Sequence, residues 1–427
     1  MPYMALTQTA DVRPETTRET VSTPIQLAAL PPMSVLFVSQ PHTGRIGGIQ
    51  RHSQRLYEAL QPQCNVARWP DMKHPLATHL FLSNKHDLSN KSHLSNKRDR
   101  YGSLVGRPVI YCDAGIAIIF ATRLFRRSDR VKVGTVHGLD MIAPLKPYQQ
   151  LMTKALRRLD TVVCVSQATA AQVEARGVPE ERIRVIHNAA EPKIASICTK
   201  EQARQQLRSI IGADLRGKKV LLSIGRPIKR KGFDTFVSSV FRYLPDDYVY
   251  IVAGPEVEIP GWLRAGSAAF SARSRRNILV AMGYHSSHAN LKRQSKHPRM
   301  FYLNGASDSV RDLLYAACDL FVLPNRTVQG DMEGFGIVAL EAATRGIPVV
   351  AFGIEGITDA VIHGRNGICV EGRDYLGLRQ TIQSLLSDPI RLEKFGQEAA
   401  EFTRERYSLE KVTGQYISLF EELAYAR

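Results

Sequence analysis

The chain has 427 residues, 44% of them hydrophobic, and 57 Lys and Arg stand against 40 Asp and Glu, a formal charge of +17. This length suits about two folded domains with ordinary cores. No apolar run is clean enough to span a bilayer, because the best stretch, 109–125, is interrupted by Asp113 and Arg123. Six scattered cysteines without a C-x-x-C pair argue against a disulfide or zinc framework and for reduced thiols in a cytoplasmic protein.

The positive excess calls for an anionic partner: a nucleotide, an anionic membrane surface or a nucleic acid. Residues 1–33 mix charges with threonines and lack the basic start and apolar centre of a signal peptide, so they read as a flexible leader. An N-terminal domain is expected over 34–200. It opens with a buried strand at Val35–Ser39, a loop bearing Gly47 and Gly48, and a helix from Ile49 to Leu60. Such a strand–glycine loop–helix lets a phosphate or sugar approach backbone N–H groups, although it also serves as a plain turn. The triple Ser-Asn-Lys repeat over 83–100 is polar and basic and reads as an expanded surface loop.

Further strands are expected at 108–112, 131–136, 161–166 and 183–186, alternating with helices. That alternation gives an α/β fold with a parallel sheet. Ligands meet such sheets just past strand C-terminal ends, where His137-Gly138, Ser166 and His187-Asn188 fall.

Residues 191–216 read as a linker that includes a charged helix. A C-terminal domain is expected over 217–400, with strands at 219–224, 248–253, 300–303, 320–324 and 348–352. Arg226 and Lys231 follow the first of these across a Pro/Gly loop and make a diphosphate clamp, the guanidinium bidentate and the ammonium a point charge. An insertion at 262–299 carries eight Lys and Arg and no acidic residue; it reads as a solvated basic segment or as a patch that docks on anionic lipid.

The stretch Asp331–Ala342 joins a buried strand to a helix over 337–344 through Gly334 and Gly336. Amide groups at that helix start attract an anion or a hydroxyl-rich group. Glu333 precedes the helix, and Glu341 lies roughly 7 Å along it. Taken alone, the glycines also suit a simple turn and Glu341 a surface helix position. No D-x-D pair presents carboxylates to a metal, so no metal and no cofactor are expected. The chain ends in an amphipathic pattern over 392–425, with 401–427 expected to pack back toward the N-terminal domain.

Assembled, these pieces resemble the family-four retaining glycosyltransferases, also called glycosyl transferases group 1, of GT-B architecture: two doubly wound Rossmann-like domains facing each other across a cleft. The resemblance rests on Glu333-Gly334-Phe335-Gly336 with Glu341 eight positions after Glu333, on Arg226 and Lys231, and on Gly47-Gly48 and His137-Gly138. It implies a hexose transferred from a nucleotide-sugar, GDP-mannose or a UDP-hexose, to a lipid or saccharide acceptor. Arg226 and Lys231 would hold the donor diphosphate and Glu341 the ribose. Glu333, with the amides of Gly334, Phe335 and Gly336, would hold the transferred sugar. His137 would lie beside that sugar, and Gly47 and Gly48 near the diphosphate. The flanking Gly330-Asp331-Met332 resembles mannosyltransferases acting on lipids. Two rival readings are a nucleotide-sugar epimerase on the same architecture and a non-enzymatic basic binder of membrane or nucleic acid. No aromatic-interleaved basic module supports a nucleic-acid partner.

Overall fold

The computed structural model describes residues 33–39, 48–69, 107–190 and 198–426. The expectations for 1–32, for Gly47 and for the 83–100 repeat lie outside these residues.

Two six-stranded parallel sheets form the frame. The first holds β1 (Ser34–Val38), β2 (Asn65–Trp69), β3 (Val109–Asp113), β4 (Val131–Val136), β5 (Thr161–Cys164) and β6 (Ile183–Val185), in the order β2-β1-β3-β4-β5-β6. The second holds β7 (Lys219–Ile224), β8 (Tyr248–Gly254), β9 (Met300–Asn304), β10 (Leu320–Leu323), β11 (Val349–Phe352) and β12 (Gly367–Val370), in the order β12-β11-β10-β7-β8-β9. With helices on both faces, these are the two Rossmann-like domains of a GT-B architecture.

The central strands are mostly apolar because both faces are covered. In β1 and β3, Val35, Phe37, Val109 and Tyr111 enter one core, while Leu36, Val38, Ile110 and Cys112 enter the other. The second sheet repeats this two-residue alternation: Val220, Leu222 and Phe321 lie on one side, Leu221, Tyr250 and Val322 on the other.

Each sheet has a point where its strand order reverses, between β1 and β3 in the first and between β7 and β10 in the second. At such a point the two loops leaving the strand ends diverge and leave a crevice. The second of these crevices is bounded by the loop after β7, bearing Arg226 and Lys231, and by the loop after β10, bearing Glu333.

Several boundaries differ from expectation. β2 and β12 are strands that the sequence reading passes over, both at sheet edges. The helix Lys200–Ile211, read as linker, packs through Ala203 and Leu207 into the core of the second sheet. The basic insertion folds into three short helices, Gly261–Ala268, Ala272–Ala281 and His288–Gln294. The C-terminal pattern breaks at Ser408, whose side chain caps the last helix by accepting from the Lys411 amide. Pro389–Tyr407 therefore stays with the second sheet, and the crossing helix is Leu409–Tyr425 rather than 401–427. Its Val412, Tyr416, Leu419 and Phe420 enter the core of the first sheet beside Phe37 and Tyr111. Each such aromatic or aliphatic side chain contributes roughly 1.5–3 kcal/mol on burial. The Tyr416 hydroxyl lies 3.2 Å from Thr135 Oγ1, so its polar end is satisfied.

Candidate active site

The loop after β10 carries a densely connected polar group. Glu333 is nearly buried, and one carboxylate oxygen accepts from Lys231 Nζ at 2.7 Å, from Asn325 Nδ2 at 2.6 Å and from Arg230 Nη1. Arg230 also donates from Nε to Asp331 at 3.0 Å. Burial alone raises the Glu333 carboxyl, but the charges of Arg230 and Lys231 and the hydrogen bonds from Lys231 and Asn325 outweigh it and bring its pKa down to about 2. Burial also pulls the Lys231 ammonium below its ordinary range, with Glu333 opposing.

A third carboxylate joins from the loop after β11. Glu355 accepts the Glu333 backbone N–H at 2.5 Å. Burial first, and then the neighbouring Glu333 and Asp331 charges, push it up to about 7, against the pull of that hydrogen bond and of Arg230. Its backbone sits at φ 50°, in the left-handed region that side chains disfavour.

Arg226 belongs to the same crevice with a different status. It is exposed, and Nη1 donates to the Gly283 carbonyl at 3.3 Å, with no carboxylate bonded to it among the described residues. Glu341 lies further along the helix Ile337–Ala343, buried, its Oε2 accepting from the Tyr315 hydroxyl at 2.8 Å. The Arg345 guanidinium lies 4.7 Å from the centre of that tyrosine ring. Glu341 is therefore a held carboxylate and not a free surface residue.

The first domain meets this crevice directly. A Cβ on Gly334 would collide with the His137 carbonyl oxygen, and Gly138, at φ 98°, would in turn crowd the Gly334 Cα. Only glycine on both sides allows this approach. Gly48 faces Ile337, and a Cβ there would make ordinary contact at 3.6 Å. Phe335 points the other way, stacking on His187 with ring centres 5.5 Å apart. His187 Nε2 lies 3.0 Å from Asp359 Oδ1, which also accepts the Gln167 amide at 3.1 Å. The Phe335 and His187 side chains thus form a seam between the domains, which leaves the expectation for the Phe335 backbone amide untouched.

His137 is buried at the end of β4, with Nε2 2.7 Å from Asp113 Oδ1 at the end of β3. Burial pulls the histidine down, but Asp113, its hydrogen bond and Asp140 together raise it, while Asp113 itself is held below the ordinary carboxyl range. Nδ1 makes no hydrogen bond to the described residues and is the ring nitrogen left for a ligand. Beside it, His52 is kept neutral by burial, with a pKa of about 4.

The structure thus brings Lys231, Glu333, Gly334, His137 and Gly48 to one place, with Arg226 and Glu341 flanking it. Reading the sequence missed Arg230, Asn325, Asp331 as a partner, Glu355 and Asp113. Asp113 carries a usable signal, since it ends a strand just as His137 does. Among the described residues no group of three or more His, Cys, Asp or Glu is arranged to hold a metal ion, and no helix is long and apolar enough to cross a membrane.

Comparison with known proteins adds two family models: Glycosyltransferase Family 4 matches residues 46–193, and Glycosyl transferases group 1 matches residues 209–402. Among curated proteins, the chain is 28% identical over 231 residues to a D-inositol 3-phosphate glycosyltransferase of Corynebacterium efficiens, covering 53% of this chain and 48% of that one. It is also 28% identical over 272 residues to the lipopolysaccharide core biosynthesis mannosyltransferase LpsB of Rhizobium meliloti, covering 63% and 67%. The chain thus spans about half the length of the first of these relatives. Among solved structures, Anabaena HepE in complex with UDP and glucose superposes with a TM-score of 0.64 over 92% of this chain and 100% of that one, at 19% identity, a likeness of fold.

Proposed function

For a chain that belongs to the family-four glycosyltransferases, glycosyl transferases group 1, we propose the transfer of a hexose from a nucleotide-sugar, with retention at the anomeric carbon and without a metal, to a lipid or saccharide acceptor. The observation that carries this reading is the Arg230–Lys231–Glu333 cluster at the strand-order reversal of the second sheet, with His137 and Gly138 closing over it. Arg226 and Lys231 hold the diphosphate. Lys231 is already aimed, and it exchanges part of its contact with Glu333 for a phosphate oxygen as the donor binds. Glu333 and the amides of Gly334 and Gly336 hold sugar hydroxyls, Glu341 holds the ribose, and His137 presents Nδ1 toward the sugar.

The chemistry follows from what each group is able to do. Glu333 is fixed by three donors and is far too weak a base at about 2 to take a proton at neutral pH. It is therefore a poor nucleophile for a double displacement, which also needs a second carboxyl on the opposite face of the sugar. Stabilisation of the departing diphosphate by fixed cations, with the acceptor held on the same face, accounts for rate and retention together. Contact between Gly138 and Gly334 excludes water at that edge of the crevice.

Mannosyltransferases among the relatives, one of them acting on the lipopolysaccharide core and another on a phosphatidylinositol mannoside, favour GDP-mannose and a lipid-linked acceptor. The HepE complexes with UDP-glucose keep a UDP-hexose in view. A membrane-surface acceptor also suits the basic insertion, where Trp262 and Phe270 are exposed beside Arg264, Arg273 and Arg275.

Thermal shift against GDP, UDP and ADP, followed by the matching sugar donors, tests the donor reading. One diphosphate is expected to raise Tm well above the others. Product analysis then tests the reaction: an α-linked donor gives an α-linked product, EDTA leaves turnover intact, and incubation without acceptor yields no epimerised sugar. No response to any nucleoside diphosphate, an inverted product or strict metal dependence would overturn the corresponding part.

A further inference from the structure

Beside the crevice lies a cavity of about 550 Å³ that the proposed reaction does not use, lined by Lys229, Arg276, His285, Arg326, Arg373 and Tyr375 along with the loop 327–329. Four of its lining residues are cations, and none is acidic. The neighbours Arg230 and Asn325 turn to Glu333, while Lys229 and Arg326 line this separate space.

The walls are built, not incidental. The insertion returns to the donor loop here: Lys229 donates its amide to the His285 carbonyl at 2.9 Å, and Ile228 bridges to Ser286. Arg326 is held by donating from Nε to the Lys229 carbonyl at 2.8 Å and from Nη1 to Thr235 Oγ1 at 3.1 Å. Lys229, Arg276 and Arg373 have no carboxylate partner among the described residues. Nδ1 of His285 is buried without a hydrogen-bond partner. Burial and the surrounding charges of Lys229, Arg276 and Arg326 keep that imidazole neutral, with a pKa of about 4. Like charges gathered in a concave wall repel one another, and an anion seated among them relieves that repulsion.

We propose that this cavity is a second anion site, taking a phosphate group carried by a molecule other than the sugar donor. The guanidinium groups of Arg276, Arg326 and Arg373 match the oxygens of a tetrahedral phosphate, and Lys229 supplies a point charge. The site draws residues from the insertion, from the loops after β7 and β10 and from the loop after β12, so an occupant ties the insertion to the second sheet. The inference does not rest on the donor reading, because these cations attract the same group whatever the neighbouring crevice binds.

Titration calorimetry with glycerol 1-phosphate at low salt, using the full chain, tests it. The parent protein is expected to bind, and R276E/R373E to lose about tenfold or more in affinity. The same variant, relieved of like-charge repulsion, should melt no lower than the parent without ligand and should no longer gain Tm from glycerol 1-phosphate. Its response to nucleoside diphosphates should stay within twofold of the parent, while R226A/K231A keeps glycerol 1-phosphate binding.

Sedimentation with phosphatidylcholine vesicles, with and without phosphatidic acid, distinguishes the source. Recruitment by phosphatidic acid that R276E/R373E abolishes assigns a lipid headgroup; binding of glycerol 1-phosphate alone assigns a free phosphorylated molecule. The proposal is overturned if the parent shows no binding, if R276E/R373E binds as the parent does, or if nucleoside diphosphate displaces glycerol 1-phosphate one for one.

Discussion

At the mouth of the first sheet His137 and Asp113 close on each other, 2.7 Å apart and both buried, with His52 and Asp140 beside them. At the mouth of the second, Arg230 and Lys231 interlock with Asp331 and Glu333, and Glu355 joins through a backbone amide. The first mouth is a neutralised pair with one ring nitrogen to offer. The second is a network whose cations are shared among carboxylates, with Arg226 at its edge, bonded to the Gly283 carbonyl. Charge recognition therefore belongs to the second domain, and the first contributes shape, closure and one polar contact. Under the proposed function, a diphosphate entering the second mouth would find donors already oriented, which is what makes fixed charges more effective than mobile solvent.

The largest effect expected from this contrast is on stability. Arg230 compensates two buried carboxylates, and R230M leaves both without it. Breaking a buried pair from one side costs about 3–5 kcal/mol, read by urea denaturation. A loss under about 1 kcal/mol would mean that the network carries no more than a surface pair and that the contrast between the mouths is unfounded. The Glu333 carboxyl is depressed from 4.5 to about 2, so its contribution is fully present above about pH 4.5 and is lost as pH falls toward 2.

Next in size is catalysis. K231A and R226A are each expected to lower kcat/KM by roughly 10²–10³, as loss of a fixed donor to a developing anion does. The two should differ in stability: R226A is nearly neutral, since Arg226 is exposed and makes only a carbonyl contact, whereas K231A also leaves Glu333 with one donor fewer. Turnover within threefold of the parent for either variant would remove that residue from the clamp.

Which parts of this were readable in advance follows from where the information lies. Strands covered on both faces, such as β1, β3 and β10, are apolar through their middles and visible as runs. β2, with Asn65 and Arg68 within it, and β12, opening on Gly367, are short edge strands whose pattern is set by neighbours far away in sequence. The two glycines were legible because local backbone geometry demands them, and the glutamate spacing because it carries the family resemblance. Arg230 was not, since Lys229, Arg230 and Lys231 occupy one 3-10 turn and nothing in their order tells which of them turn to Glu333. Only the packed structure decides that the middle one meets Glu333 while the first lines another cavity. Glu355, 22 residues beyond Glu333, announces nothing in its own sequence.

A smaller effect tests the first mouth. D113N keeps the shape but removes the charge that His137 faces, at an expected cost of about 1.5–3 kcal/mol. The His137 pKa is raised in the folded state, so its share of that cost is present below about pH 6.5 and fades as pH rises through the folded value. The Asp113 pKa is lowered, so its share is lost as pH falls below about 3.8. The difference between parent and D113N should be greatest between these limits. A difference that instead grows steadily toward alkaline pH would show that the pair does not carry the charge assigned to it.

A further effect lies at the edge of the second mouth, where partial exposure screens the charge, and separates its charges from its shape. Glu355 is held at φ 50° and has a pKa pushed up from 4.5 to about 7. The folded state therefore keeps a proton that the unfolded chain releases, and stability falls as pH rises from about 4.5 to about 7. E355Q cannot ionise, so its advantage over the parent should grow across that window and level off above it. E355G removes the carboxyl and relieves the left-handed backbone as well, and it should gain about 1 kcal/mol over E355Q from that relief, less the extra freedom glycine has when unfolded. Only E355Q retains an acceptor for the Glu333 amide. If activity follows that acceptor, E355Q stays near the parent at neutral pH while E355G falls, and Glu355 positions the Glu333 loop. If both variants are equally active, the network around Glu333 sets the loop without it, and the second mouth reduces to Arg230, Lys231, Asp331 and Glu333.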